Sequence, residues 1–139
     1  MAYESSTRTF GHIVAGTDLT DFQYHIMKID SADSGILPCA ATTDIPVGVL
    51  QYGVQAGEAA EICYAGITKI KLETTEDSTN SIAAQTVRPG NILTTSANGQ
   101  ALKTVAGASV TSYSVAVALE SGTDGDVVPA LMRLCGRAK

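Results

Sequence analysis

Short apolar segments, separated by turn-forming residues at intervals of about 8–12 residues, recur along almost the whole chain and limit it to one class of fold. In residues 68–73, an apolar or β-branched side chain alternates with a charged one. Residues 113–120 alternate larger apolar side chains with one small polar face, and residues 127–134 place Val128 and Met132 on one face. Alternation with a period of two is typical of half-buried strands, so we predict an all-β protein.

The predicted fold is a compact β-barrel-like or sandwich-like domain of short antiparallel strands, with at most one short helix, at residues 81–87. The pair Asn98-Gly99 predicts a type I′ hairpin turn, in which both residues need a positive φ. Pro129 cannot donate to a neighbouring strand, which places the strand at 127–134 at a sheet edge. Further strands are predicted at residues 10–15, 24–30 (apolar on both faces, so its register stays open), 36–41, 47–52, 59–64, 92–95 and 101–105.

Length and charge exclude several classes of protein. A chain of 139 residues corresponds to one domain, and its net charge of −5 argues against a nucleic-acid binder. A hydrophobic content of 45% with 17% charged residues excludes a disordered chain. The longest apolar runs are too short to span a membrane, and the first residues lack the pattern of a signal peptide. We therefore expect a soluble protein made in the cytoplasm.

The first nine residues differ from the rest of the chain, because they are polar and have no periodicity. We predict an extended N-terminal arm at residues 1–9 and a single domain at residues 10–139. The arm contains no Pro or Gly, and Tyr3, Arg8 and Phe10 are its candidate anchors on a partner. An extended segment of this kind can add a strand to a neighbouring sheet. A frayed terminus is the alternative that the composition leaves open.

The cysteines and histidines do not form a recognisable metal site. Cys39, Cys63 and Cys135 are widely spaced and contain no CxxC pair, so we predict reduced, buried thiols. His12 and His25 are the only histidines, and no third nitrogen or sulfur ligand lies near them in the sequence. Zinc requires three or four protein ligands, and we therefore predict no metal site.

Two short motifs are weak candidates for catalysis or a cofactor. The Asp-Ser-Gly at residues 33–35 resembles the signature of aspartic proteases, but the preceding residues 30–32 are not an apolar strand, which favours a surface turn. Lys28 follows a methionine, as in biotin-carrying domains, yet no turn residues flank it closely. We predict no catalytic residue, no cofactor and no enzymatic activity.

The order of turns and strands adds a resemblance to a known family. The blocks that carry it are Val-Gly-Val at 47–49, Gln-Ala-Gly-Glu at 55–58, Ala-Gly-Ile at 65–67, Arg-Pro-Gly-Asn at 88–91, Asn-Gly at 98–99, Val-Ala-Val-Ala-Leu at 115–119 and Gly-Asp-Val-Val-Pro at 125–129. In this succession the chain resembles the small capsid cement, or head decoration, proteins of tailed bacteriophages over roughly residues 13–134. It departs from them at Asn91, where the family often has Asp, and in a polar insert at residues 74–80, so the pairing around residues 74–90 stays open.

The resemblance implies a structural virion protein, commonly a homotrimer, that binds the outside of the assembled capsid and stabilises contacts between subunits of the major capsid protein. From the net charge, the short apolar runs and the motifs, we expect no nucleic acid, no membrane and no cofactor as partners. The arm would then contact the capsid through Tyr3, Arg8 and Phe10. The alternative is a tail or surface β-module that binds another protein or a glycan. The chain has no Trp and five Tyr, which disfavours a glycan platform.

Overall fold

The computed structural model describes residues 7–32, 35–73, 86–104 and 112–138, and every regular element in these ranges is a β-strand. No helix in the described ranges has the length and apolar character needed to cross a membrane. The strands are β1 (Arg8–Phe10), β2 (Ile26–Ile29), β3 (Ile36–Pro38), β4 (Gly48–Leu50), β5 (Ile62–Ala65), β6 (Ile67–Lys71), β7 (Ile92–Thr95), β8 (Ala101–Lys103), β9 (Ser112–Ala118) and β10 (Val127–Ala138).

The strands form two five-stranded antiparallel sheets, which confirms the predicted all-β class. The first sheet has the order β1-β5-β4-β2-β3 and the second has the order β6-β10-β9-β7-β8. The chain passes from the first sheet to the second at Gly66, which is the single residue between β5 and β6. The N–H of Met132 on β10 bonds to the carbonyl of Gly66 at 2.8 Å, so the longest strand of the second sheet is held against this crossing point.

The main hydrophobic core contains side chains from both sheets. Its residues are small or medium-sized aliphatic groups and two cysteines, in keeping with the low aromatic content of 5%. Close packing of such side chains lets two sheets approach face to face. The buried members are Ile26, Cys39, Val49, Cys63, Ile70, Leu72, Val87, Leu93, Ala101, Val115, Ala116, Ala118, Val128, Ala130 and Met132.

A second core lies on the other side of the first sheet, where the segment 11–24 covers it. Met27, Leu50 and Ile62 point into this second core, while their chain neighbours Ile26, Val49 and Cys63 point into the main one. The covering segment is fixed by backbone bonds such as Leu19 N–H to the Val54 carbonyl at 2.8 Å. The middle of the first sheet is therefore buried on both faces, which explains why β2 has apolar residues on both sides at Ile26 and Met27; at the end of the strand, Ile29 is exposed.

The first strand is displaced from its predicted position. We expected a strand at residues 10–15, but β1 spans Arg8–Phe10 and pairs with β5. Residues 11–15 instead enter the covering segment, where Val14 and Ala15 make only isolated bridges to Ala59 and Ile36. Tertiary contacts with the covered face thus take precedence over the local apolar pattern.

The prediction that the strand containing Pro129 lies at an edge is wrong. β10 pairs with β6 on one side and with β9 on the other. The carbonyl of Pro129 accepts the N–H of Leu119 at 3.0 Å, so the proline nitrogen faces the same neighbour. β9 ends at Ala118, and the missing donor therefore falls beyond the last residue of that strand.

The predicted hairpin at Asn98-Gly99 exists, but its turn is of another type. β7 and β8 pair across it, and only Gly99 has a positive φ, of 72°. The N–H of Gly99 bonds to the Ser96 carbonyl at 3.3 Å, and the Ser96 hydroxyl accepts the N–H groups of Asn98 and Gln100. This is a type I turn followed by a left-handed glycine, the usual three-residue hairpin loop.

The helical candidate at residues 81–87 falls mostly outside the described residues, which resume at residue 86. Val87 itself is buried and makes an antiparallel bridge to Gly122, with backbone hydrogen bonds of 3.0 and 3.1 Å. This end of the segment therefore packs as extended chain.

Candidate interaction surface

The burial pattern of β9 shows which side chains lie on each side of the second sheet. Its small residues Ser114, Ala116 and Ala118 are buried together with Val115, whereas Leu119, just after the strand, is 40% exposed. The small face of the predicted strand is thus the buried one, because small side chains allow the close approach of the facing sheet. Of the larger apolar side chains, Val115 is buried in the main core, Val117 is half-buried and Leu119 is exposed.

Four apolar residues form a continuous row across four strands on that side. Leu131 of β10 lies opposite Ile67 of β6 and opposite Val117 of β9, and Val117 in turn lies opposite Ile92 of β7. Ile67, Leu131 and Ile92 are 46%, 43% and 39% exposed. Directly opposed residues have Cβ atoms about 4.5–5.5 Å apart, so the row is contiguous. We call the exposed side of this sheet the outer face; it comprises Ile67, Lys69, Ile92, Val117, Leu119, Val127, Pro129, Leu131 and Arg133.

The charged residues of the outer face are basic. Lys69 and Arg133 are its exposed charged residues, and the five strands of the second sheet contain Lys and Arg but no Asp or Glu. The chain as a whole has a net charge of −5, so its carboxylates lie elsewhere. At β8 the outer side of the second sheet is covered, since Thr94 of β7 and Leu102 of β8 are both buried.

Sequence reasoning missed this surface, although a signal for it is present. The residues predicted to point inward from 127–134, Val128 and Met132 among them, are buried as expected. The alternate residues of the same strand include Val127 and Leu131, which are also apolar yet 44% and 43% exposed. A strand that is apolar on both faces, in a sheet covered on one face only, indicates an exposed apolar surface.

The structure places two of the three candidate arm residues in the first sheet. Arg8 is exposed on β1 opposite Ala65, and Phe10 is half-buried, packing on the second core with its ring 6.0 Å from that of Tyr64. Thr7 donates from its hydroxyl to the carbonyl of Ile67 at 3.1 Å, which holds the start of β1 beside β6. Tyr3 lies outside the described residues.

His25 is buried between the ring of Phe22 and the protein backbone. Its centroid is 5.1 Å from that of Phe22, and its Nδ1 lies 3.1 Å from the carbonyl of Gln23. Burial lowers the pKa of His25, which favours the neutral ring. His12 is exposed beside Phe10. Among the described residues, no three His, Cys, Asp or Glu side chains are grouped as a metal site would require.

Lys28 lies within strand β2 rather than at a hairpin tip, and its Nζ pairs with the Asp44 carboxylate at 2.8 Å. This position differs from that of a biotin-carrying lysine. Asp33 and Ser34 of the protease-like tripeptide lie outside the described residues.

The thiols of Cys39 and Cys63 are free and buried in the main core. Burial, with a contribution from the Asp44 carboxylate, raises the pKa of Cys39 to about 12. Burial also raises the pKa of Cys63. Both groups are therefore protonated packing residues and poor nucleophiles at neutral pH. The side chain of Cys135 lies outside the described part of the chain.

One open cleft of about 620 Å³ lies where the covering segment meets the β7–β8 hairpin. Phe22 and His25 line one wall, and Asn98 and Gln100 line another. Two of its polar side chains have partners: Asn98 donates from Nδ2 to Glu73 Oε1 at 2.9 Å, and His25 Nδ1 lies 3.1 Å from the carbonyl of Gln23.

The fold of this chain is similar to that of solved structures, whereas sequence comparison finds no relative. No protein-family model matches the chain, and no curated protein sequence matches it. The fold is similar to that of a crystal structure of the N base of the head fiber protein gp8.5 of bacteriophage phi29, with a TM-score of 0.60 and 17% sequence identity. The superposition covers 91% of this chain and 95% of that chain. At this level of identity the likeness establishes a shared fold.

Proposed function

We propose that this chain is a structural protein of a bacteriophage virion, which binds the outer surface of the assembled capsid and stabilises contacts between major capsid subunits. The observation that carries the proposal is the likeness to the base of a phage head fiber. It extends over 91% of this chain and 95% of the other, so it concerns the whole domain and not a shared hairpin. The resemblance of the turn-and-strand order to capsid cement proteins supports the same role.

The proposed stabilisation follows from mass action. A protein that binds the assembled lattice but not the free subunits lowers the free energy of the assembled state. In the proposed homotrimer, three linked domains contact several capsid subunits at once, and each bound domain raises the effective concentration of the next. The chain would be made in the host cytoplasm and reside on the exterior of the capsid.

Sedimentation with capsids tests the proposal. Capsids are purified from a phage that lacks the gene for this chain, mixed with the purified protein and pelleted through a sucrose cushion. We expect saturable binding to assembled capsids, no binding to unassembled capsid subunits, and capsids that withstand higher temperatures when loaded. Binding to isolated tails or to host-surface glycans, with none to capsids, would instead support the surface-module alternative and contradict the proposal.

A further inference from the structure

We propose that the outer face of the second sheet is the surface that binds the capsid, and that it meets a capsid surface with an apolar centre and carboxylates around it. The inference rests on the proposed function and adds to it which side of the domain makes the contact and what chemistry the partner presents.

Exposed apolar side chains are grouped on the outer face. Five large hydrophobic residues on this one face are each about two-fifths exposed, namely Ile67, Ile92, Leu119, Val127 and Leu131. Soluble proteins rarely expose contiguous apolar patches larger than a few hundred Å², and larger ones mark interaction sites. The row from Ile67 to Ile92 crosses four hydrogen-bonded strands and is therefore contiguous.

Strand pairing holds the outer face in place before it binds. In the row from Ile67 to Ile92, every residue but Ile67 lies on a strand that is paired on both sides. Ile67 lies on the edge strand β6, where its carbonyl accepts a hydrogen bond from the hydroxyl of Thr7. Short branched side chains on strands lose little rotamer freedom on association. A preformed surface of this kind loses less conformational entropy than a flexible loop, so more of the contact energy appears as affinity.

The charges of the outer face select the chemistry of the partner. Lys69, on the edge strand β6, lies opposite Pro129, and Arg133 is the next outward residue after Leu131 on β10. A second copy that docked with the same face would oppose these like charges, which is destabilising. Complementarity instead requires carboxylates on the partner, around an apolar patch that covers Leu131.

The test compares matched substitutions on the two sheets. Ile67→Asp and Leu131→Asp place a carboxylate on the outer face, while Ile29→Asp changes an equally exposed isoleucine, 51% exposed, on β2 of the first sheet. The double variant Lys69→Glu/Arg133→Glu reverses the charge of the face. For each protein, binding to capsids that lack this chain is measured by sedimentation at two salt concentrations, beside its melting temperature and its oligomeric state in free solution.

We expect both aspartate variants and the charge reversal to weaken capsid binding by about tenfold or more, at an unchanged melting temperature and oligomeric state. Ile29→Asp should bind like wild type. Binding of wild type should weaken as salt increases, and the charge-reversed variant should lose that dependence.

Three outcomes would overturn the inference. Undiminished capsid binding by the outer-face variants assigns the contact to another surface and leaves the proposed function intact. Dissociation of free oligomers by the same variants makes the outer face an interface between copies of this chain. Failure of wild type to bind capsids contradicts the inference and the proposed function together.

Discussion

The Nζ of Lys28 lies 2.8 Å from Oδ2 of Asp44, and the same oxygen accepts the N–H groups of Ala40 at 2.7 Å and Ala41 at 3.1 Å. Lys28 belongs to β2 and Asp44 to the loop between β3 and β4, so this contact fixes the loop to the first sheet. Burial alone would raise the pKa of Asp44. The bonds from Lys28, Ala40 and Ala41 outweigh it and hold that pKa below its usual value of 3.8.

We expect Asp44→Asn to lower the free energy of unfolding by about 1–2 kcal/mol at neutral pH, because three donors lose an ionised acceptor. A carboxylate whose pKa is lower in the folded than in the unfolded protein stabilises the folded state at pH values above its unfolded pKa. This stabilisation is lost as the pH falls through the pKa of the folded state. Denaturant unfolding at about pH 7 and pH 2 should therefore show a smaller difference between variant and wild type in acid. Asp21→Asn, at an exposed carboxylate, is the control. An equal difference at both pH values would contradict this explanation.

The burial of His25 predicts a loss of stability in mild acid. Because burial holds its pKa below the usual 6.5, the unfolded chain takes up a proton that the folded chain does not, and stability decreases as pH falls below that value. The approach of Lys71 acts in the same direction, while Glu73 and the carbonyls of Gln23 and Phe22 oppose it. The variant His25→Gln should not lose stability in mild acid, whereas His12→Gln, at an exposed position, should lose it as wild type does. An NMR titration of the His25 ring that gave 6.5 or higher would refute this.

Gly48 lies at a close approach between β4 and β5. Its φ is +154°, and a Cβ there would clash with the carbonyl oxygen of Cys63 and lie 2.5 Å from Cγ2 of Ile62. We expect Gly48→Ala to cost about 2–4 kcal/mol of stability, because paired backbone must move apart. Gly57→Ala is the control, since its φ of +84° is strained but the space beside it is open. It should cost about 1 kcal/mol, as measured by denaturant midpoints, and equal losses would rule out the steric argument.

The two buried cysteines should resist alkylation in the native protein. Cys39 and Cys63 are 1% and 0% exposed, and burial raises the pKa of both thiols. Iodoacetamide at neutral pH should label them only after denaturation, as peptide mass spectrometry would show. The intact mass should also be the same with and without reductant. Rapid labelling of either thiol in the folded protein would contradict the packing described here.

Arg8 and Phe10 should have separable roles. The Phe10 ring packs on the second core, and we expect Phe10→Ala to cost about 1–2 kcal/mol of stability. Arg8 is exposed, so Arg8→Glu should leave the melting temperature unchanged and reduce capsid binding if the arm contacts the capsid, as the resemblance to cement proteins implies. Deletion of residues 2–6 preserves β1 and tests the arm without unfolding an edge strand. Full capsid binding by both altered proteins would show that the arm does not contact the capsid.

Local patterns determined the strand class, several turns and the orientation of two strands. In β6 the buried residues are Thr68 and Ile70, as the alternation predicts, and in β10 they are Val128, Ala130 and Met132. The turn at residues 88–91 forms with Gly90 at a positive φ, as its Pro-Gly pair indicates. These features depend on neighbours within a few residues, and the sequence alone therefore specifies them.

The tertiary structure decided which strand lies beside which and which faces are covered. Pro129 is tolerated inside a sheet because β9 ends before it, and the apolar residues on both sides of β2 are accounted for because segment 11–24 covers the first sheet. Leu131 and Ile67 meet on an exposed face because β6 and β10 pair across a long stretch of sequence. A period-two pattern indicates that the two faces of a strand differ. Whether each face is buried depends on segments that are distant in the sequence, and only folding brings these segments together.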